Sequence, residues 1–167
     1  FIALLPEAVC ELDVFGNLLF ANNAATAMTG YNRADLEKGL NIFPMIALED
    51  QERASANVQH MIAGEALGAD EYTIVRKDGT SFPAIVHISN ILDADGKTVG
   101  FRGVVIDITE RKRAAEVQQQ LAAIVESSHD AIIGQSLDGI ITSWNKGAEV
   151  RYGYTAAEAI GHSVEML

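Results

Sequence analysis

The chain has 167 residues, of which 49% are hydrophobic, and a formal charge of −11. This length suits one domain of about 100–150 residues with additional chain, and the apolar fraction is enough to bury a core. The acidic balance argues against direct binding of nucleic acid, and without a run of ~18–20 apolar residues we expect no membrane insertion of this segment.

The cysteine content and the start of the chain bear on its location. Cys10 is the one cysteine, so no internal disulfide can form, and a free thiol is typical of a reducing compartment. We therefore expect a cytoplasmic protein. The chain begins at Phe1 without the charged segment and cleavage site of a signal peptide, which favours a piece of a longer protein.

The hydrophobic pattern changes from helical to strand-like along the first part of the chain. Residues 49–63 repeat apolar side chains at the spacing of a helix, and the following segments alternate with a period of two. The predicted elements are strands at 8–14 and 18–20, short helices at 24–28 and 35–37, the helix at 49–63, and strands at 71–76, 82–89 and 99–106. This order predicts an α+β fold in which helices cover one face of an antiparallel sheet.

Turn and cap residues separate these elements. Gly16-Asn17 joins the first two strands, and Asp78-Gly79 and Asp95-Gly96 predict type I′ turns, in which both central residues have positive φ. Asn22 or Asn23 offers a side-chain oxygen that caps the first short helix. The last three strands are therefore expected to be joined by tight hairpins.

A longer helix is predicted from Asp107 to about Glu126. Asp107 stands at the first position of a capping box, in place of the usual serine or threonine. The apolar residues of this helix follow at 3-4-3 spacing, at Ala114, Val117, Leu121 and Ile124. Such a seam favours a dimeric coiled coil, and the alternative is a single amphipathic helix lying on its own domain.

The front of the first domain is repeated downstream at a constant offset. The residues Ala8-Val9, Gly16, Asn22, Ala25 and Gly30-Tyr31 recur as Ala131-Ile132, Gly139, Asn145, Ala148 and Gly153-Tyr154. The offset is far longer than the roughly 20–50 residues of solenoid repeats. We therefore expect a complete domain at 1–108, a helical linker at 109–127 and a truncated second copy at 128–167. This organisation suits a modular sensor better than an enzyme with a single cleft.

Together these residues resemble a PAS sensor domain, and the resemblance covers essentially the whole chain. Its motifs are Asn22, Gly30-Tyr31, Arg76-Lys77-Asp78-Gly79, the PAC-type exit Asp107-Ile108-Thr109-Glu110-Arg111-Lys112, and in the second copy Trp144-Asn145 and Gly153-Tyr154. The resemblance implies a five-stranded antiparallel sheet with short helices on one face that enclose a pocket. It also implies that the linker helix carries a signal.

This chain lacks the residues that characterise two cofactor-binding classes of PAS domain. Photosensory members carry a reactive cysteine in a Gly-x-Asn-Cys segment, and the matching position in this chain is Ile42. Haem-binding members place a ligating histidine early in the long helix, where this chain has Arg53, with His60 two turns later. We therefore expect neither a flavin-cysteinyl adduct nor a haem of that His-ligated type, and the identity of any cofactor stays open.

Strand alternation indicates which side chains face the expected pocket. The candidate pocket residues are Asn22, Phe43, Tyr72, Ile74, Ile88 and Ile106. Asn22 is the polar candidate, and its alternative role is that of helix cap. The pocket could bind a small molecule or be filled by its own side chains. Ile85, His87 and Ile91 make the outer sheet face apolar, which favours a docked helix or a partner subunit there.

No constellation of residues with catalytic or metal-binding spacing stands out, so this segment is not expected to be an enzyme. We interpret it as a cytoplasmic sensory and dimerisation module that acts on a downstream effector domain of the same chain. The residues expected to transmit the signal are Asp107, Thr109, Val117, Leu121 and Ile124. A sensor histidine kinase is the favoured parent. The alternatives are a diguanylate cyclase or phosphodiesterase, and a ligand-free interaction scaffold.

Overall fold

The computed structural model describes residues 6–65 and 68–167. The chain forms two compact units, Phe1–Glu110 and Arg111–Leu167. Residues 1–5 of the domain expected at 1–108 lie outside the described residues. The boundary between the units falls after Glu110, so the helix expected as a separate linker at 109–127 belongs mainly to the second unit.

The first unit contains five strands and three α-helices among its described residues. They are β1 Ala8–Asp13, β2 Leu18–Ala21, α1 Asn23–Thr29, α2 Arg33–Glu37, a 3-10 turn Phe43–Met45, α3 Leu48–Ile62, β3 Ala69–Val75, β4 Ser81–Leu92 and β5 Thr98–Asp107. The strands form one antiparallel sheet in the order β2-β1-β5-β4-β3. The predicted α+β fold with a five-stranded antiparallel sheet is confirmed.

The core of the first unit lies between one face of this sheet and its helices. Phe101 of β5 and Ala84 of β4 are almost fully buried at the sheet, and Val58 and Met61 of α3 pack into the same core. The apolar positions of α3 repeat every three or four residues, which places them on one stripe of the helix. The apolar stripe of α3 therefore packs against the inner face of the sheet.

The hairpin turns differ from the predicted type I′ geometry. In the β3–β4 turn Gly79 has a φ of 85°, but no described residue other than glycine has a positive φ, so Asp78 does not. Arg76 N donates to Thr80 O, and Gly79 N donates to Arg76 O. The Asp78 carboxylate accepts from the amide of Thr80 at 2.9 Å, which favours this wider, three-residue loop with glycine at its left-handed position. The Asp95-Gly96 turn is built in the same way.

The second unit begins with a helix and then repeats the front of the first. Its elements are α4 Thr109–Ser127, β6 Ile133–Gln135, β7 Ile141–Trp144, α5 Lys146–Tyr152, α6 Ala156–Ala159 and a 3-10 turn Val164–Met166. β6 and β7 pair antiparallel, as β1 and β2 do. Asn145 caps α5 as Asn22 caps α1, and Gly153 and Gly30 end those helices in the left-handed conformation. The repeat seen in the sequence is therefore also a repeat of structure.

The C-terminal end of α4 is bonded into the second unit. The Asn145 side-chain amide donates to the carbonyl oxygens of Val125 at 2.8 Å and Asp130 at 3.0 Å. A Cβ on Gly147 would lie only 2.3 Å from the Asp130 oxygen and 2.8 Å from that of Ser128. Glycine is therefore required at position 147, in the first turn of α5, because the chain that follows α4 passes close to it.

The helix α4 buries none of its residues. Val117, Leu121 and Ile124 of the predicted seam are 54%, 57% and 65% exposed. The seam is therefore solvent-exposed along its length in the single chain. Within the described residues, no helix combines the length and the apolar character that crossing a membrane demands.

Candidate functional site

A cavity of about 110 Å³ lies on the inner side of the sheet in the first unit. Its walls come from all five strands, from α1, α2 and α3, and from the segment between α2 and α3. Gly103 of β5 forms part of the floor, and a Cβ there would lie 3.0 Å from the Cys10 sulfur. The space therefore depends in part on the missing side chain at Gly103.

The lining of the cavity is apolar and carries no Asp, Glu, Lys, Arg or His. Tyr31 contributes to the wall, and four other polar side chains there, Thr26, Thr29, Asn57 and Tyr72, are already paired within the protein. The Thr26 and Thr29 hydroxyls donate to main-chain oxygens at 2.9 and 2.8 Å, and Asn57 donates to the Tyr72 hydroxyl at 2.8 Å. Among the described residues, every buried side-chain nitrogen or oxygen has a hydrogen-bond partner. The cavity thus offers a bound molecule an apolar contact surface and few hydrogen bonds.

Cys10 lies in the cavity wall as a neutral thiol. Burial raises its pKa to about 11, with a smaller opposing effect from a hydrogen bond to the Gly103 backbone. A thiol with this pKa is protonated at neutral pH, and only the thiolate is a strong nucleophile or metal ligand. Cys10 therefore acts in the cavity as a small apolar side chain.

The structure places three of the predicted pocket residues, Tyr72, Ile74 and Ile88, in the cavity wall. Phe43 packs against the buried core clusters, while its neighbour Ile42 lines the cavity.

Ile106 was wrongly assigned to the pocket. Its side chain is 41% exposed on the outer sheet face, and Val105 lines the cavity instead. Alternate residues of a strand face opposite sides, so Gly103 and Val105 point inward together. Val104 and Ile106 are apolar like Phe101 and Val105, so the sequence of β5 does not distinguish its inward face from its outward face.

Asn22 is 1% exposed and lies outside the cavity wall. Its side-chain oxygen accepts from the amides of Val9 at 3.0 Å and Ala25 at 2.9 Å, and its amide donates to Glu7 O at 2.8 Å. It therefore caps α1 and fastens the helix to β1, which is the alternative role that the sequence left open.

Asp107 connects the end of the sheet to the start of α4. Its Oδ1 accepts from the Thr109 amide at 2.8 Å and from the Thr109 hydroxyl at 2.5 Å. The predicted capping box requires a hydrogen bond to Asp107 from the amide three residues later, at Glu110. The structure instead has the hydrogen bond from the Thr109 amide, two residues later, because α4 begins at Thr109 rather than at Ile108.

Arg76 links this exit to the cavity wall. Its Nη2 lies 3.6 Å from Asp107 Oδ2, its Nε donates to Met28 O at 2.9 Å, and its guanidinium stacks over the Phe82 ring at 4.1 Å. Met28 itself lines the cavity. One side chain thus contacts the wall of the cavity and the residue that precedes the helix. The sequence did not reveal this role, because the contacts with Met28 and Asp107 join segments far apart in the chain.

Arg53, at the position where haem-binding relatives are expected to have histidine, belongs to an ion-pair network between α3 and β3. It lies 2.7 Å from an Asp50 oxygen, 2.6 Å from an Asp70 oxygen, and 4.4 Å over the Tyr72 ring. A hydrogen bond from the Thr73 amide, and then the Arg53 guanidinium, hold the pKa of Asp50 below its usual value. These contacts fix α3 against the sheet beside the cavity.

Neither a flavin nor a haem fits this cavity. A cavity of about 150 Å³ takes a single benzene ring, and the cavity here is about 110 Å³. A three-ring flavin or a porphyrin is several times larger. Ile42 and Arg53 also stand where the reactive cysteine and the ligating histidine would be, and Arg53 is held by two carboxylates.

Comparison with known proteins gives relatives among signalling proteins. The C4-dicarboxylate transport sensor protein DctS of Rhodobacter capsulatus is 31% identical over 106 residues, 63% of this chain and 16% of that protein. The probable diguanylate cyclase DgcE of Escherichia coli strain K12 is 28% identical over 136 residues, 78% of this chain and 12% of that protein. The chain therefore spans less than a fifth of either relative.

The fold is shared with solved structures and family models. The crystal structure of a PAS domain from Desulfitobacterium hafniense superposes with a TM-score of 0.55 at 20% identity, covering 64% of this chain and 97% of that one. A family model described as PAS domain matches residues 6–110, and one described as PAS fold matches residues 119–167. Because the first match alone covers more than half of the residues, the chain belongs to the PAS domain family.

Proposed function

We propose that this chain is a cytoplasmic sensory and dimerisation module of a multidomain signal-transduction protein whose output domain is a histidine kinase. The module binds a small molecule and transmits its presence, and it catalyses no reaction itself. The observation that carries the proposal is Arg76, which contacts both the cavity wall at Met28 and Asp107 at the start of α4. The free thiol of Cys10 is consistent with a reducing compartment.

A change in the cavity can reach α4 through these contacts. Movement of α1 would shift the Met28 carbonyl, and the Arg76 guanidinium holds that carbonyl and the Asp107 carboxylate at once. Asp107 in turn holds the first amide of α4. A ligand that favours one position of α1 would thereby favour one arrangement of the helix, which is a shift between two populated states.

Dimerisation is proposed through α4 and the outer sheet face. The seam of α4 is exposed, and Ile106 adds an exposed apolar side chain to the half-buried Ile85 and Ile91 on the outer face. Exposed apolar patches of this kind mark interaction sites. A ligand-free scaffold would use the same surfaces, but it gives no reason for an apolar cavity next to the Arg76 contacts.

The choice of a histidine kinase follows from the resemblance of the sequence to sensor modules, and the similarity to the transport sensor protein of Rhodobacter capsulatus supports a sensory parent. A diguanylate cyclase is the second candidate, because the similarity to the Escherichia coli protein extends over 78% of this chain. The C4-dicarboxylates in the name of the first relative are not proposed as ligands here. They are dianions, and the cavity wall has no cationic side chain to pair with them.

The test compares two arginines of the first unit, Arg76 after β3 and Arg102 in β5, in the intact parent protein. Arg76→Gln removes the guanidinium between Met28 O and Asp107, whereas Arg102→Gln breaks only an ion pair with Glu11, which lies 2.7 Å away and outside the cavity wall. We expect Arg76→Gln to uncouple output from input and Arg102→Gln to leave regulation intact. The output is measured as autophosphorylation and as synthesis of a cyclic dinucleotide. Whichever activity the parent protein shows also identifies its output domain as a histidine kinase or a diguanylate cyclase. If both variants are regulated like the wild type, Arg76 does not transmit the signal.

A further inference from the structure

We propose that the cavity takes a small, neutral, apolar molecule no larger than one benzene ring. The inference deepens the sensory function proposed above and rests on it. It assigns a chemical class to the ligand from the dimensions and chemistry of the wall.

The first argument is size. A dry cavity of about 150 Å³ walled by aliphatic and aromatic side chains binds benzene or xenon. The cavity here is about 110 Å³, so its occupant is of that size or smaller. Gly103 provides part of this space, because a Cβ there would lie 3.0 Å from the Cys10 sulfur.

The second argument is charge. No side chain of the wall is ionised at neutral pH, since the lining has no acidic or basic residue and the Cys10 thiol is protonated. An ion brought into such a site loses its hydration and gains no counter-charge. The ligand is therefore neutral.

The third argument is hydrogen bonding. The Thr26 and Thr29 hydroxyl hydrogens are already donated to the carbonyls of Asn23 and Ala25. The Tyr72 hydroxyl accepts from Asn57, whose amide also donates to Asp70. A ligand with several polar groups would give up its hydrogen bonds to water and find few replacements, and each unmet group would weaken its binding. The wall therefore selects an apolar molecule.

The experiment titrates the 167-residue chain with benzene, xenon and succinate while the methyl NMR signals of Val86 and Ile88 are followed. We expect saturable shifts with benzene and xenon, and none with the dianion succinate. At ten times its dissociation constant, a bound probe should also raise the folded-to-unfolded ratio about elevenfold, which a thermal melt reports.

Two phenylalanine variants supply the matched control. Val105 lines the cavity and Ile106 is 41% exposed on the other face, although they are neighbours on β5. Val105→Phe should abolish the probe shifts, and Ile106→Phe should leave them as in the wild type. Val86→Leu, which adds one methylene group to the wall, is a milder second variant and should weaken binding.

The ligand class is overturned if succinate shifts the cavity methyl signals saturably, or if benzene and xenon leave them unchanged in the folded chain. It is also overturned if Ile106→Phe blocks the probes as Val105→Phe does. These outcomes concern binding alone. The sensory function fails separately, if the Arg76 and Arg102 variants of the parent are both regulated normally.

Discussion

Asn22 and Asn145 make matching sets of hydrogen bonds in the two repeats. The Asn145 oxygen accepts from the amides of Ile132 at 2.8 Å and Ala148 at 3.0 Å, as the Asn22 oxygen accepts from Val9 and Ala25. Both residues are almost fully buried. One side chain thus satisfies two main-chain donors and at least one main-chain acceptor, and asparagine has the oxygen and the amide needed for both tasks.

Replacing Asn22 by alanine should destabilise the first unit by about 2–4 kcal/mol, because the helix loses its cap and buried main-chain groups lose partners. The adjacent Asn23 is the matched control, since it is exposed and begins α1 without capping it. Asn23→Ala should change the free energy of unfolding by no more than about 0.5 kcal/mol. Urea denaturation of both variants measures the difference. Equal losses would contradict the assignment of Asn22 as the cap.

At the scale of elements, the sequence predicted every strand and helix of the first unit to within a few residues. Periodicity and the glycine positions sufficed, because each hairpin and helix end is a local feature. The phase of β5 could not be predicted, since both of its faces carry apolar residues, Phe101 and Val105 on one face and Val104 and Ile106 on the other. The contacts of Arg76 with Met28 and Asp107 could not be predicted either, because they join the turn after β3 to α1 and to the end of β5, and one sequence does not reveal contacts at such separation.

Insertions after Gln119 should show whether α4 transmits by its helical register. A straight helix turns by ~100° per residue, so seven residues return the seam to within ~20°, four rotate it by ~40°, and two by ~200°. In the parent protein we expect output control to survive the seven-residue insertion, to change with four and to be lost with two. Assays of output with and without stimulus measure this. If all three insertions leave regulation intact, α4 is a passive tether.

At the scale of the whole molecule, the exposed seam of α4 should hold two chains together. Leu121→Glu places a carboxylate in the seam, so two like charges would face each other across a dimer. Gln120→Glu adds the same charge at the adjacent, equally exposed position outside the seam. Light scattering over a range of concentrations should show a dimer for the wild type and for Gln120→Glu, and a monomer for Leu121→Glu. A monomeric wild-type chain, or a dimeric Leu121→Glu variant, would contradict dimerisation through α4.

The bond between Asn145 and the Val125 carbonyl has a consequence for building hybrid proteins from this chain. A fusion joint placed after Ser127 would separate the Val125 carbonyl, in the last turn of α4, from the Asn145 amide that bonds it, while the contacts of Asn145 with Ser128 and Asp130 would remain. A joint just after Glu110, at the boundary between the two units, keeps those contacts on one side. The exchangeable part is therefore Arg111–Leu167, which includes most of α4, and grafted sensors should be joined within the first turn of α4 rather than after its end.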